Sequence, residues 1–265
     1  MTSPFLDTAI DAVVKAGDIQ LAYLERGLHL TDKGPSDIVT DADIAVETMF
    51  RAMIADRFPS HGVLGEELAE ALSSGGGAVH RWLFDPIDGT ANYASGLPFF
   101  CASLALEVSG VIDVAAVYEP TRRELFTAER GRGASLNGRA LRVSSVDRFG
   151  DAMLGCGFPH GARTRVPAME ALFGECAIRG RGVRRLGSAA LELCYVAAAR
   201  LDGFWDQHLK PWDTAAGALI VQEAGGVVTD FEGGPFSCYR GGVLASNGQL
   251  HQALVAVIAA TAASV

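Results

Sequence analysis

The sequence predicts a mixed α and β protein with an N-terminal α+β half and a C-terminal α/β half. Three observations carry that expectation. Two stretches of helical periodicity come first, a run of strands occupies residues 99–127, and after Ser144 strands and helices alternate. The change of pattern sets a soft boundary at 145–150, which divides the chain into 1–147 and 148–265.

Leu6, Ile10, Val13, Val14, Leu21, Leu24 and Leu28 recur at helical spacing and predict a long first helix. A polar stretch with Gly34 and Pro35 follows at 31–37. Thr40 and Asp43 are spaced as a capping box for a second helix, with Ile44, Phe50, Met53 and Ile54 facing inward and Pro59 ending it. Residues 62–65 read as a short strand and 73–77 as a flexible loop. Trp82-Leu83-Phe84 reads as a buried strand that runs into Asp85-Pro86. Segments 100–106, 111–118 and 125–127 form an antiparallel meander, turning at Gly110 and at 120–123. In the second half, strands near 153–154, 183, 203–205, 227–228 and 243–244 are interleaved with helices at 166–176, 189–199 and 214–223, and a last helix starts at 249.

Composition excludes several classes. The chain has 265 residues, 22 of them basic and 31 acidic, for a net charge of -9. That balance makes nucleic acid an unexpected partner, because phosphate backbones are held by Lys and Arg. No apolar run reaches the ~18 residues of a membrane helix, and residues 1–11 lack the basic start and apolar stretch of a secretory leader. The five Cys are widely spaced without a C-x-x-C, so they predict buried free thiols in a reducing cytoplasm.

The chemistry concentrates where apolar strands end in carboxylates. Glu66-Glu67 follows Val63-Leu64-Gly65, Asp85 and Asp88 follow Trp82-Leu83-Phe84, and Asp213 follows Pro211-Trp212 at the start of a helix. Carboxylates placed at strand ends can converge on one crevice. Such oxygen donors suit Mg²⁺, Mn²⁺ or Ca²⁺ and not zinc. In Asp85-Pro86-Ile87-Asp88-Gly89-Thr90 the proline turns the chain, so that two carboxylates and the Ile87 carbonyl can share one side. Gly89 permits close approach of a ligand, and the helix opened by Thr90 offers free N–H groups to a phosphate. Taken singly, each signal has a bland reading: Asp-Pro and Asp-Gly are ordinary turn dipeptides, Asp213 suits a helix N-terminus, and Glu66-Glu67 suits solvated surface. No C-x₅-R loop is present, and His160 and His208 stand in no recognisable motif. Direct attack by water therefore fits better than a phosphoenzyme route.

The conjunction resembles the inositol monophosphatase family of Mg²⁺-dependent, lithium-sensitive phosphatases. Gly65-Glu66-Glu67, the 85–90 segment and Trp212-Asp213-Thr214-Ala215-Ala216-Gly217 stand in that family's order and rough spacing. Segments 37–43, 131–138, 186–190 and 223–226 extend the resemblance over residues 5–260. It implies a layered αβαβα sandwich of the inositol monophosphatase and fructose-1,6-bisphosphatase type, a homodimer, and a site at the junction of the halves. Glu66, Asp85 and the Ile87 carbonyl would hold one Mg²⁺, and Asp85, Asp88 and Asp213 a second. A weaker third would lean on Glu66, with Mn²⁺ a possible substitute and Li⁺ and Ca²⁺ inhibitory. Asp43 and Thr90, with Glu66, would orient and activate the attacking water. Gly89 and Thr90 amides would bind phosphate, with Lys33 nearby. Asp88, Gly187, Ser188, Ala189 and Asp206 would contact the substrate.

Departures bear on the alcohol. Asp206 stands where inositol-specific members carry the longer Glu, Ala91 replaces a bulkier residue, Tyr93 replaces Phe, and 158–165 differs most. The expected substrate is inositol monophosphate or a similar polyol or sugar phosphate. Histidinol phosphate, fructose 1,6-bisphosphate and NADP stay open, as does a regulatory binding protein with a relic site. The basic run at Arg179, Arg181, Arg184 and Arg185 reads as a solvated strand edge or subunit contact. Trp205 and Trp212 read as core or wall.

Overall fold

The computed structural model describes residues 2–34, 37–68, 79–158 and 167–262. Helix α1 (Pro4–Arg26) starts where the Ser3 hydroxyl accepts the Leu6 N–H at 3.1 Å, with Pro4 in the first turn. Its inward face is built mainly from Leu6, Ala9, Ala12, Val13, Ala16 and Gly17, smaller than the leucine stripe the periodicity predicts. The reason is close approach: a Cβ on Gly17 would stand 2.6 Å from the Tyr118 ring. Leu28 lies beyond the helix end, and Leu21 and Leu24 are only half-buried.

Strands β1 (Leu30–Gly34) and β2 (Asp37–Thr40) pair antiparallel across a stretch that sequence reading leaves unassigned. Helix α2 (Asp41–Arg57) opens with the predicted capping box: Thr40 Oγ1 accepts the Asp43 N–H, and Asp43 Oδ2 accepts the Thr40 N–H at 2.8 Å. Its buried face runs through Val46, Phe50 and Ile54, whereas Ile44 points outward, contrary to expectation.

The first sheet has seven strands in sequence order: β3 (Gly62–Gly65), β4 (His80–Asp88), β5 (Cys101–Val108), β6 (Val111–Glu119), β7 (Glu124–Glu129), β8 (Gly133–Leu136) and β9 (Arg139–Ala140). Only β3 and β4 are parallel. The meander therefore continues two strands past the predicted end. Asn137-Gly138, both at positive φ, makes the last hairpin turn in the way Ser109-Gly110 makes an earlier one. Between β4 and β5 lies the short helix α3 (Thr90–Ala94).

The second sheet is built from β10 (Met153–Cys156), β11 (Gly182–Arg184), β12 (Gly203–Asp206), β13 (Val227–Thr229) and β14 (Val243–Ser246), in the order β11-β10-β12-β14-β13. Helices α4 (Pro167–Arg179), α5 (Ala189–Ala197), α6 (Pro211–Glu223) and α7 (His251–Ala262) alternate with these strands. The alternation does not give a wholly parallel sheet, because β14 runs antiparallel to both β12 and β13.

Two-residue periodicity assigns each strand face to a core. Trp82 and Phe84 pack with Leu104 and Leu106 beneath Val13, Phe50 and Ile54, while Leu83, Ala105 and Val117 face α5 and α6 on the other side. Phe204 and Ala245 close that middle layer from the second sheet, and Trp205 and Leu244 face α4 and α7 beyond. The layers are α1/α2, seven-stranded sheet, α5/α6, five-stranded sheet and α4/α7, the predicted αβαβα sandwich. All five Cys are buried and free, and no helix of the described residues is long and apolar enough to cross a membrane.

Candidate functional site

Proline creates the central turn. Pro86 has no N–H for the ladder, and the β4–β5 register slips between Asp85, opposite Ser103, and Asp88, opposite Cys101. Three bonds hold the bulge: Ile87 N–H to Asp85 Oδ1 at 2.9 Å, Gln20 Nε2 to the Pro86 carbonyl at 2.7 Å, and Thr90 Oγ1 to the Ile87 carbonyl at 2.9 Å. Tyr93 in turn donates to the Gln20 carbonyl at 2.7 Å, so α1 and α3 both brace the loop. Gly89 sits at φ +95°, and a Cβ there would stand 3.0 Å from the Phe99 carbonyl oxygen.

Asp88 is held from the other half of the chain. Its Oδ2 accepts Ser188 Oγ at 2.6 Å and the Ala190 N–H at 2.7 Å, at the N-terminus of α5 where a negative charge is favoured. Asn92 Nδ2 donates to the carbonyls of Phe99 and Leu186, each at 2.8 Å, and fastens the same two segments. Asp213 lies in the first turn of α6, its Oδ2 accepting the Lys210 N–H at 2.7 Å. Glu66 follows β3 in a loop pinned from below by Glu47, which accepts the N–H groups of Glu67 at 2.8 Å and Leu68 at 3.2 Å and pairs with Arg51 at 2.7 Å. A Cβ on Gly65 would collide with the Glu47 carboxylate, which explains the glycine before Glu66-Glu67.

Glu66, Asp85, Ile87, Asp88, Gly89, Thr90, Gly187, Ser188, Ala189, Asp206 and Asp213 line one cavity of about 430 Å³. Asp43 is fully buried outside that lining, with its Oδ2 accepting both the N–H and the hydroxyl of Thr40. Lys33 lies in β1, and its side chain is outside the described residues. Of the variable loop 158–165, Phe158 lines the cavity, as does Gly157 just before it, and 159–166 lie outside the described residues, as does the 73–77 loop. Trp205 is core and Trp212 is wall.

Sequence reasoning missed several lining residues. Arg185 belongs to the cavity and stacks its guanidinium over Phe158 at 5.4 Å, while Arg181 pairs with Asp151 and Arg179 with Glu175 on the outside. The basic run thus divides, and only its last member bears on the site. Glu192 also lines the cavity from α5, where its helical neighbours are apolar. His208, whose place near Asp206 in the sequence left both a substrate-facing and a surface reading open, lines the cavity at φ +69°, a strained value for a residue other than glycine.

Crowding of like charge dominates the electrostatics. Burial first, then Glu66, Asp88, Asp213 and Asp43, push the Asp85 carboxyl well above its usual range. Burial and Asp88 raise Asp213 to about 8. Among the described residues no three Asp, Glu, His or Cys side chains are already drawn into a closed ion shell. The donor set nevertheless fits a hard divalent cation: the carboxylates and the Ile87 carbonyl are oxygen donors only, and they repel one another until a positive charge offsets them. The Cys101 thiol, 3.8 Å from Asp88, is kept protonated by burial and by that same carboxylate.

Comparison with known proteins shows which chains this one resembles as a whole. The inositol monophosphatase family model matches residues 1–263. An inositol-1-monophosphatase of Rhizobium meliloti is 42% identical over 262 residues, covering 97% of this chain and 96% of that protein. The Nus factor SuhB of Pseudomonas aeruginosa is 41% identical over 263 residues, covering 96% of each. The crystal structure of the extragenic suppressor protein suhB from Bartonella henselae superimposes with a TM-score of 0.90 at 38% identity, covering 97% of this chain and 98% of that one.

Proposed function

The chain belongs to the inositol monophosphatase family and is a phosphatase, and from that premise we propose that it hydrolyses inositol monophosphate or a similar polyol or sugar phosphate by direct attack of water. One observation carries the reading: carboxylates just after β3, in β4 and in α6 meet in a single cavity, where burial and mutual repulsion raise Asp85 and Asp213. The family is metal-dependent, and we assign Mg²⁺, two or three ions per site, to Glu66, Asp85, Asp88, Asp213 and the Ile87 carbonyl. Bound magnesium supplies the positive charge that offsets both the carboxylates and the phosphate dianion.

The chain's own groups do the rest. The Thr90 hydroxyl, donating to Ile87, keeps its lone pairs directed away from that carbonyl and so can accept from a water. Glu66 completes the orientation of that water, and Asp43, buried outside the lining, braces the site from beneath through Thr40. The Gly89 and Thr90 amides take phosphate oxygens, helped by Lys33. Asp206, Gly187, Ser188 and Ala189 face the alcohol, and the walls from Phe158 and Trp212 limit water around it. A homodimer in the cytoplasm is the expected form, consistent with five free thiols.

A panel of phosphate monoesters tests the assignment, read as phosphate release with magnesium, with lithium, and with EDTA. Strong release from inositol 1-phosphate that disappears in EDTA supports it, and undiminished activity in EDTA overturns it. The Nus factor name of one relative keeps a binding role in view. Release from no member of the panel would favour that role over catalysis.

A further inference from the structure

The part of the cavity wall formed by β10, α5 and β12 carries two more carboxyls, Asp206 and Glu192, and the sequence makes room for both by omitting side chains. A Cβ on Gly157 would stand 1.6 Å from Asp206 Oδ2, so the carboxylate occupies the place of the missing side chain. A Cβ on Gly155 would stand 2.8 Å from Glu192 Oε1. The two glycines alternate along the chain and therefore face the same way. Neither has positive φ, so space and not backbone freedom is their reason.

Glu192 is only 1% exposed. Its Oε2 accepts the Gly187 N–H at 3.3 Å, and its Oε1 is buried with no hydrogen-bond partner. An ionised carboxylate with an empty buried oxygen is a costly arrangement, and a protonated one much less so. The titratable groups acting on Glu192 reinforce the point: Asp206 and Asp88 are acidic, and Glu192 in turn raises the Cys156 thiol. Burial raises Glu192 to about 9 despite the amide bonds from Leu186 and Gly187. Asp206 faces Asp88, Asp213 and Cys156, but also the Arg185 guanidinium, and burial raises it only to about 7.

We propose that Glu192 is a positioning residue for recognition of the leaving alcohol: it works as a neutral carboxylic acid seated between Gly187 and Gly155, and so leaves the negative charge of this wall on Asp206, which accepts hydroxyls of the polyol. The inference rests on the reading of Asp206 given above. If Glu192 ionised as well, like charges would face each other in adjoining slots, and Asp206 would be driven out of the space that Gly157 provides.

The test compares the wild-type enzyme with Glu192→Gln and Glu192→Leu. Steady-state kinetics are measured on inositol 1-phosphate and on p-nitrophenyl phosphate, whose leaving group has no alcohol hydroxyls, across the neutral to alkaline range. Glutamine is neutral at every pH and should rescue: KM for inositol 1-phosphate stays within about twofold of wild type near neutrality. Wild type should show a rise in KM as pH approaches 9, and Glu192→Gln should abolish it. Leucine should raise KM for inositol 1-phosphate by roughly tenfold and alter p-nitrophenyl phosphate by less than about twofold. Infrared difference spectroscopy of the protein without substrate should show a protonated carboxyl near pH 7.5 that is missing in Glu192→Gln. Equal damage by Gln and Leu, equal loss on both substrates, or no such carboxyl band would each overturn the proposal. Failure of the wild type to hydrolyse inositol 1-phosphate would instead count against the substrate reading, and the infrared band would still decide the state of Glu192.

Discussion

Ser188 donates its hydroxyl to Asp88 Oδ2 across 2.6 Å, joining the end of β4 to the first turn of α5 a hundred residues later. The bond is charge-assisted and is backed by the Ala190 amide on the same oxygen. Ser188→Ala leaves that amide in place and removes the hydroxyl. We expect kcat/KM to fall by about tenfold, the equivalent of roughly 1.4 kcal/mol for one such bond, with little change in Tm. Wild-type kinetics in that variant would show that the rotation of Asp88 is set elsewhere.

Asp88→Asn keeps the shape of the side chain and removes its charge. Turnover should be lost to below about one-thousandth of wild type, while circular dichroism and Tm stay close to normal. Calorimetry should show weaker magnesium binding in the same variant. Full activity would refute the placement of Asp88 in the ion site.

Glu47 never reaches the cavity, yet it holds the loop that carries Glu66. Glu47→Ala strands Arg51 and two amides, and should cost about 3 kcal/mol of stability, read as a lower urea midpoint. The magnesium concentration giving half-maximal activity should rise as well. An unchanged magnesium requirement in the folded variant would separate Glu47 from the site.

His61 and His80 stack with centroids 4.4 Å apart, and His61 Nδ1 accepts the Trp82 indole N–H at 3.1 Å. Burial, then His80, lower His61 to about 4 from 6.5. The unfolded chain therefore takes up a proton at this residue near pH 6.5, whereas the folded one resists until about 4. The stability that His61 provides is complete above pH 6.5 and drains away as pH falls to about 4. The urea-midpoint difference between wild type and His61→Gln should shrink over that interval. A difference that ignores pH would sink the assignment.

What the sequence made legible was local. Thr40 and Asp43 announced their capping box because the spacing is itself the interaction. The Trp82–Phe84 strand and its carboxylate turn were legible for the same reason, since Pro86 forces the bulge wherever the chain goes. Glu47, Gln20 and Glu192 were not legible. Each is a buried polar residue on a helix, and periodicity cannot tell a carboxyl that pins a distant loop from one that faces solvent. Arg185 was read with its basic neighbours because charge runs carry no information about which member a fold turns inward. The antiparallel course of β14 was equally hidden, because direction depends on how the chain returns after β13 and not on the strand's own residues.

The division of labour around the cavity has a practical meaning for engineering. The carboxylates assigned to magnesium stand just after β3, at the end of β4 and at the start of α6, whereas Gly157, Phe158, Arg185, Glu192 and Asp206, in the wall proposed for the alcohol, come from β10, α5, β12 and their connections. Mutational libraries confined to this second group would leave the ion ligands untouched. Leaving-group preference could then be retrained as an exchangeable cassette, with Ser188 and Asn92 marking the seam that such libraries should avoid.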